Sequence, residues 1–183
     1  MTATKLVLLD RDGVINEDRQ DYVKSVEEFV ILPGVIEAIQ LWKQAGWKIA
    51  LVTNQSAIGQ NIISEEDLQA IHDHLQTVLR KNNAKIDKIY VCPDHPQFPT
   101  NRRKPNPGMI HEALADFNVE AAETPFIGDT IRDLEAAFSA GCPRHLVRTG
   151  HGRAIEKEGL PLSILPVSIH DDLLSATKSI LTP

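Results

Sequence analysis

Two carboxylates separated by a single residue, Asp10 and Asp12 in the run Asp10-Arg11-Asp12-Gly13-Val14-Ile15-Asn16, are the side chains of this sequence best spaced for chemistry. At a strand end, alternate residues project to one side, roughly 7 Å apart at about 3.3 Å rise per residue. Bare carboxylates that close repel, so the pair requires a cation, a shared proton, or a phosphate held with a metal. Gly13 permits a sharp turn and close backbone approach to a ligand. Gly128-Asp129-Thr130-Ile131-Arg132-Asp133 adds two more acids, Asp129 expected at a strand end and Asp133 on the first turn of a helix. Asp129 beside Asp10 makes an oxygen-rich setting of the hardness Mg²⁺ prefers, since that ion keeps waters and needs few protein ligands. Asp133 reads equally as a charge that complements the helix dipole. Thr53-Asn54 offers a hydroxyl, an amide and backbone donors. Arg103-Lys104 offers two cations shortly before a helix N-terminus, a setting for phosphate or a solvated loop.

The elements that must position these groups follow from short apolar runs alternating with helical stripes. Residues 5–9, 48–53, 89–92 and 125–127 read as buried strands, with weaker strand candidates at 145–147 and 164–167. Helical faces are expected from Val35, Ile36, Ile39 and Trp42, ending at Gly46, and from Leu68, Ile71, Leu75, Val78 and Leu79 behind a Ser64 N-cap. Asn106-Pro107 supplies N-cap and N1 chemistry for a helix using Ile110, Ala113, Leu114 and Phe117. Further helices run from Asp129 to Gly141 and from about Asp171. The alternation predicts a Rossmann-like, doubly wound parallel α/β sheet forming one domain over residues 1–183. In such sheets ligands bind beyond the carboxyl ends of strands at the switch in strand order. Asp10, Thr53 and Asp129 each directly follow a strand candidate, which places them together.

Composition narrows the class. Hydrophobic and charged fractions of 42% and 24% in 183 residues are those of a globular domain rather than a disordered chain. A net charge of −6 argues against nucleic acid as a partner. Cys92 and Cys142 cannot form a disulfide framework and suit a reducing cytosol. No signal-like or membrane-spanning apolar run stands out, so the expectation is a cytoplasmic protein, away from membranes and monomeric by default.

Asp-x-Asp-Gly, a strand-end Thr, a later Lys and Gly-Asp-x-x-x-Asp, in this order, resemble the haloacid-dehalogenase-like phosphohydrolases across nearly the whole chain. Within them the sequence is most similar to the heptose-bisphosphate phosphatase branch, with histidinol-phosphate phosphatases as near relatives. Thr53-Asn54-Gln55-Ser56, Arg103 to Met109, Gly128 to Ala137 and Val147 to Gly150 carry this narrower likeness. The resemblance implies a Mg²⁺-dependent phosphomonoesterase that removes the 7-phosphate of a heptose bisphosphate in envelope lipopolysaccharide synthesis. It implies that Asp10 attacks phosphorus and that Asp12 protonates the leaving alcohol and then activates water. It places Mg²⁺ on the Asp10 and Asp129 carboxylates and the Asp12 carbonyl, with Asp133 supporting. Thr53 and Lys104 would stabilise the phosphoryl oxygens, and Arg103 would recognise the rest of the substrate. Histidinol phosphate or a range of small phosphate esters are the rival substrates. A non-catalytic phospho-ligand-binding protein is the rival class, and a carbon-attacking dehalogenase is a third reading.

Departures from the branch pattern set further expectations. Many members bind zinc in a loop with Cys-x-His at one end and Cys-x-Cys before the Arg-Lys pair. Here Cys92 keeps the first position, Asp94 replaces the His and the later cysteines are missing, so no structural zinc is expected. After Thr53, Ala57 replaces a Gly and Gln60-Asn61 an Arg-Gly pair; Thr130 stands where some relatives have Lys. No large cap domain fits the intervals from Asp10 to Thr53 to Lys104, so short loops must select the substrate. Asp18, Arg19 and Tyr22 are candidate contacts or simple turn residues, joined by Asn54, Gln55, Ser56, Arg103 and Thr130. His72 and His74 fall on different helix faces, and His111, His145, His151 and His170 have no evident partners. Arg148 to Arg153 reads as a basic phosphate loop or an exposed one.

Overall fold

In a computed structural model that describes residues 4–182, β1 (Leu6–Leu9) lies at the centre of a six-stranded sheet. The others are β2 (Lys48–Asn54), β3 (Lys88–Cys92), β4 (Phe126–Gly128), β5 (Arg144–Val147) and β6 (Ser168–His170). Their order is β3-β2-β1-β4-β5-β6 and every pair is parallel. The direction in which successive strands are added therefore reverses between β1 and β4, which is where a doubly wound sheet opens its ligand crevice.

Each β1 residue is buried because helices cover both faces of the sheet, which is why the strand is a continuous apolar run rather than an alternating one. The alternation survives in which core each residue joins. Val7 and Leu9 pack with residues of α1 (Val35–Gln44), α3 (Glu65–Lys81) and α7 (Leu173–Leu181). Leu6 and Leu8 pack with Met109, Ile110 and Ala113 of α4 (Gly108–Phe117) and Ala136 and Ala137 of α5 (Ile131–Ala140). Ser64 caps α3 as expected, in a box with Asp67. The connections from β1 to α1 and from β3 to α4 contain no helix or strand among the described residues, which leaves no room for a large cap.

Three expectations are corrected. Residues 164–167 are not a strand: Leu162–Ile164 form a 3₁₀ turn and the sixth strand begins at Ser168. Pro166 has no N–H to give a ladder, and Ile164 is instead buried with Leu134 and Leu146. Asn106 does not cap α4, which starts at Gly108 after Pro107; its amide donates to the Thr100 carbonyl at 3.1 Å and ties the loop to itself. Two short helices, α2 (Ser56–Gly59) and α6 (Gly152–Glu158), were not foreseen, because one or two turns show no 3.6-residue stripe. Arg148 to Arg153 thus leads directly into α6. Among the described residues, no helix is long and apolar enough to cross a membrane.

Candidate active site

Asp10 follows β1 and Asp129 follows β4, so the two strands that flank the switch in order deliver the two acids to one point. Asp133, in the first turn of α5, completes a trio whose ligand oxygens lie within 4.8 Å of one another. The carboxylates are almost wholly withdrawn from solvent, Asp10 by all but 8% and Asp129 and Asp133 by all but 1%. One ammonium answers them. Lys104 Nζ sits 2.9 Å from Asp10 Oδ1 and 2.6 Å from Asp133 Oδ1, and it donates to the Val52 carbonyl at 2.7 Å. The Asp133 contact is an ion pair by distance but lacks hydrogen-bond alignment.

Both readings of Asp133 hold together. Its Oδ2 accepts from Thr130 N and Oγ1 in a capping box, and its Oδ1 faces Lys104. One carboxylate therefore starts α5 and shapes the site.

Three buried carboxylates against one ammonium leave an excess of negative charge. Burial first, then repulsion from Asp133, push Asp10 up to about 7 despite Lys104. Burial, Asp133 and Asp10 likewise raise Asp129 well above the carboxylate range. For Lys104, burial opposes the charge, but the Asp10 and Asp133 carboxylates outweigh it and raise its pKa. Asp129 Oδ2 accepts from His151 N at 2.9 Å, whereas its Oδ1 is buried without a hydrogen-bond partner. An orphaned anionic oxygen beside two further carboxylates suits a hard divalent cation such as Mg²⁺. The backbone comes in tightly here. A Cβ on Gly13 (φ 81°) or Gly150 (φ 55°) would collide with the Asp129 carboxylate, so both positions require glycine.

Asp12, two residues from Asp10, has a different setting. Its Oδ1 accepts from Arg11 Nη2 at 2.7 Å and Asn16 Nδ2 at 2.9 Å, and its Oδ2 accepts from Gln55 Nε2 at 2.8 Å. Burial would raise its pKa, but the Arg11 guanidinium and the Asn16 and Gln55 amides outweigh that and hold it below the usual range.

These groups open into a cleft of about 350 Å³ lined by Asp10, Asp12, Lys104, Asp129 and Asp133. Of the expected rim contacts, Asp18, Arg19, Tyr22, Asn54, Ser56, Arg103 and Thr130 also line it. Gln55 and Thr53 do not. Both are buried behind the cleft, where Gln55 Nε2 bridges Asp12 and the Thr53 hydroxyl. Gln55 thus braces Asp12 and Thr53 from behind the cleft. Gln60 donates to the Tyr22 hydroxyl at 2.7 Å and joins the two rim loops.

Sequence reading missed Gln20, Arg132 and His151 at the cleft. His151 does have a partner, Asp18 Oδ2 at 2.7 Å, as does His145, whose Nδ1 lies 3.0 Å from His170 Nε2. The Gly-rich basic stretch around His151 was the available signal; Arg132 lay inside the Gly-Asp-x-x-x-Asp motif itself. In the loop after Cys92, Asp94 Oδ2 accepts from Thr100 N and His95 Nδ1 from Gln97 N, so both side chains fold the loop onto itself.

Comparison with known proteins agrees with this geometry. The family model of haloacid dehalogenase-like hydrolases matches residues 4–141. A D-glycero-beta-D-manno-heptose-1,7-bisphosphate 7-phosphatase of Bordetella bronchiseptica is 42% identical over 86% of this chain and 88% of its own. A D-glycero-alpha-D-manno-heptose-1,7-bisphosphate 7-phosphatase of Burkholderia mallei is 39% identical over 75% and 76%. The crystal structure of the B. bronchiseptica D,D-heptose 1,7-bisphosphate phosphatase complexed with magnesium and phosphate superimposes with a TM-score of 0.92 at 38% identity, covering 97% of this chain and 98% of that one. With an aspartate trio at the β1–β4 switch and a family match over most of its length, this chain belongs to the haloacid dehalogenase-like hydrolases.

Proposed function

We propose that the protein is a Mg²⁺-dependent phosphomonoesterase that hydrolyses the 7-phosphate of a D-glycero-D-manno-heptose 1,7-bisphosphate, each chain working alone as a single domain. The likeness to the B. bronchiseptica enzyme over almost the full length of both chains carries the substrate assignment. The buried trio opposite Lys104 supports the chemistry.

Asp10 Oδ1 accepts a hydrogen bond from Arg11 N at 2.8 Å and forms an ion pair with Lys104 Nζ at 2.9 Å, which leaves Oδ2 as the nucleophile. Its attack on phosphorus forms an aspartyl-phosphate and breaks the ester bond, while Asp12, ionised at rest and loaded with the proton of a monoanionic substrate phosphate, passes that proton to the departing alkoxide. Asp12 then takes a proton from water, whose oxygen attacks the phosphoryl group and frees Asp10 and inorganic phosphate. Lys104 orients the phosphoryl oxygens, and the Thr53 hydroxyl supports that cradle from behind. The Asp10 and Asp129 carboxylates and the Asp12 carbonyl would hold Mg²⁺, with Asp133 supporting. When bound, the ion offsets repulsion between an anionic nucleophile and an anionic ester. Arg103, Arg19, Tyr22 and Asp18 meet the sugar and its second phosphate at the rim.

A panel of both heptose bisphosphate anomers, histidinol phosphate and common sugar phosphates tests the reading through kcat/KM. One anomer of the bisphosphate should exceed histidinol phosphate by on the order of 10²-fold, as a second charged contact allows. Equal rates across the panel refute the heptose assignment. Asp10→Asn should lose at least about 10³-fold in kcat, and phosphate release that persisted would refute the covalent route.

A further inference from the structure

Arg11 is only 1% exposed, although it lies between two residues of the cleft and bears a full charge. Its guanidinium is engaged on three sides. Nε and Nη2 reach Asp12 Oδ1 at 3.3 and 2.7 Å, Nη1 meets His72 Nε2 at 3.3 Å, and the Phe29 ring lies 5.7 Å from its central carbon. His72 is itself buried within α3, and burial together with Arg11 lowers its pKa to about 4, so its ring is neutral and Nε2 accepts from Arg11. A buried arginine costs several kcal/mol in desolvation unless such bonds are complete, so an apolar residue would be the cheaper core choice.

The bonds on Asp12 are unequal. Oδ1 takes contacts from Arg11 and Asn16, which fill its lone pairs, whereas Oδ2 receives Gln55 alone. A proton on this carboxyl can therefore sit only on Oδ2 without displacing a donor.

We propose that Arg11, braced by His72 and Phe29, is a positioning residue that pins Asp12 Oδ1 and reserves Oδ2 as the oxygen that hands the proton to the leaving alkoxide. The inference rests on Asp12 acting as the acid in the reaction proposed above. It makes His72, a helix residue outside the cleft lining, part of the support for proton transfer.

Leaving-group dependence separates positioning from simple structural support. A sugar alkoxide needs a proton to depart, whereas p-nitrophenolate and acetate do not. In the Mg²⁺-loaded enzyme, Arg11→Met should reduce kcat/KM for heptose bisphosphate by roughly 10²-fold, within the range of general acid catalysis. For p-nitrophenyl phosphate and acetyl phosphate the loss should stay within about threefold, well below that range. His72→Leu should show the same selective loss more weakly, and His72→Gln, which keeps an acceptor for Arg11, should restore the wild-type ratio. The His72 pair also serves if Arg11→Met does not fold. An equal loss on all three substrates, or no loss in either Arg11→Met or His72→Leu, overturns the proposal. Asp12→Asn is the control for the underlying reading: if it lacks the selective loss, the acid role itself fails, and if it alone shows the loss, only the role of Arg11 fails.

Discussion

At the floor of the cleft, Asp10, Lys104, Asp129 and Asp133 are at most 8% exposed; strand ends and a helix cap set the three acids, and Lys104 reaches them from a turn before α4. At its rim, Asp18, Arg19, Arg132 and His151 are exposed, and all but Arg132 lie on loops. The floor groups are in mutual contact, with one ammonium shared between two acids. The rim groups pair where solvent reaches them, as in Arg19–Asp21 at 3.2 Å and Asp18–His151 at 2.7 Å. A buried charge without its partner is expensive, whereas an exposed one is screened by water. The floor therefore behaves as one electrostatic unit, and the rim as a set of nearly independent contacts free to vary with substrate.

The most damaging way to break that contrast is Lys104→Met. It removes the ammonium while leaving three buried carboxylates, so metal-free stability should fall by about 3–5 kcal/mol, the usual result of orphaning a buried charge. Turnover should fall by at least about 10²-fold. Urea unfolding in EDTA reads the first, and added Mg²⁺ should return part of the lost stability by supplying positive charge to the same trio. A variant as stable as wild type in EDTA would show that the floor is not electrostatically coupled.

The rim should respond in the opposite manner. Arg103→Ala and Arg132→Ala should each change stability by no more than about 0.5 kcal/mol, as expected of surface positions. Each should lower kcat/KM for the bisphosphate by roughly 10-fold, the worth of one charged hydrogen bond. For heptose 7-phosphate, which lacks the second phosphate, the change should be small. Equal losses on both substrates would assign that arginine to the reacting phosphate and move it to the floor.

The same division explains what the sequence disclosed. Asp10, Thr53 and Asp129 were legible because each ends a short apolar run, and a parallel sheet must bring such ends together. Asp133 was legible only as two alternatives, since a helix cap and a site acid share one spacing; the fold gives one oxygen to each task. The inward direction of Gln55 is not legible because Thr53-Asn54-Gln55-Ser56 looks uniformly polar. Its direction depends on the turn into α2, which has too few residues to signal itself. Arg11 and His72 were passed over because a pairing across 61 residues leaves no local pattern. Pro166 was visible, yet its neighbours' hydrophobicity outweighed its known dislike of a ladder.

The finest test uses pH, because a buried group and a half-buried one in different regions have pKa values displaced in opposite senses. Asp10 is raised from 3.8 to about 7, so between those values the unfolded chain releases a proton that the metal-free native state retains. The stability it contributes is present at low pH and lost as pH rises through about 7. His145, half-buried beside His170 and away from the cleft, is lowered from 6.5 to about 4 by burial and then by His170 and Arg144. There the unfolded chain takes up a proton that the native state refuses, so stability is lost as pH falls from 6.5 towards 4. Urea unfolding in EDTA should thus show the advantage of Asp10→Asn over wild type growing with pH across the first window. The advantage of His145→Gln over wild type should grow as pH falls across the second. Saturating Mg²⁺ should abolish the first trend, because the ion and the proton compete for the same carboxylates, and leave the second unchanged. If Mg²⁺ flattened both trends alike, the floor would not be the separate electrostatic unit its geometry describes.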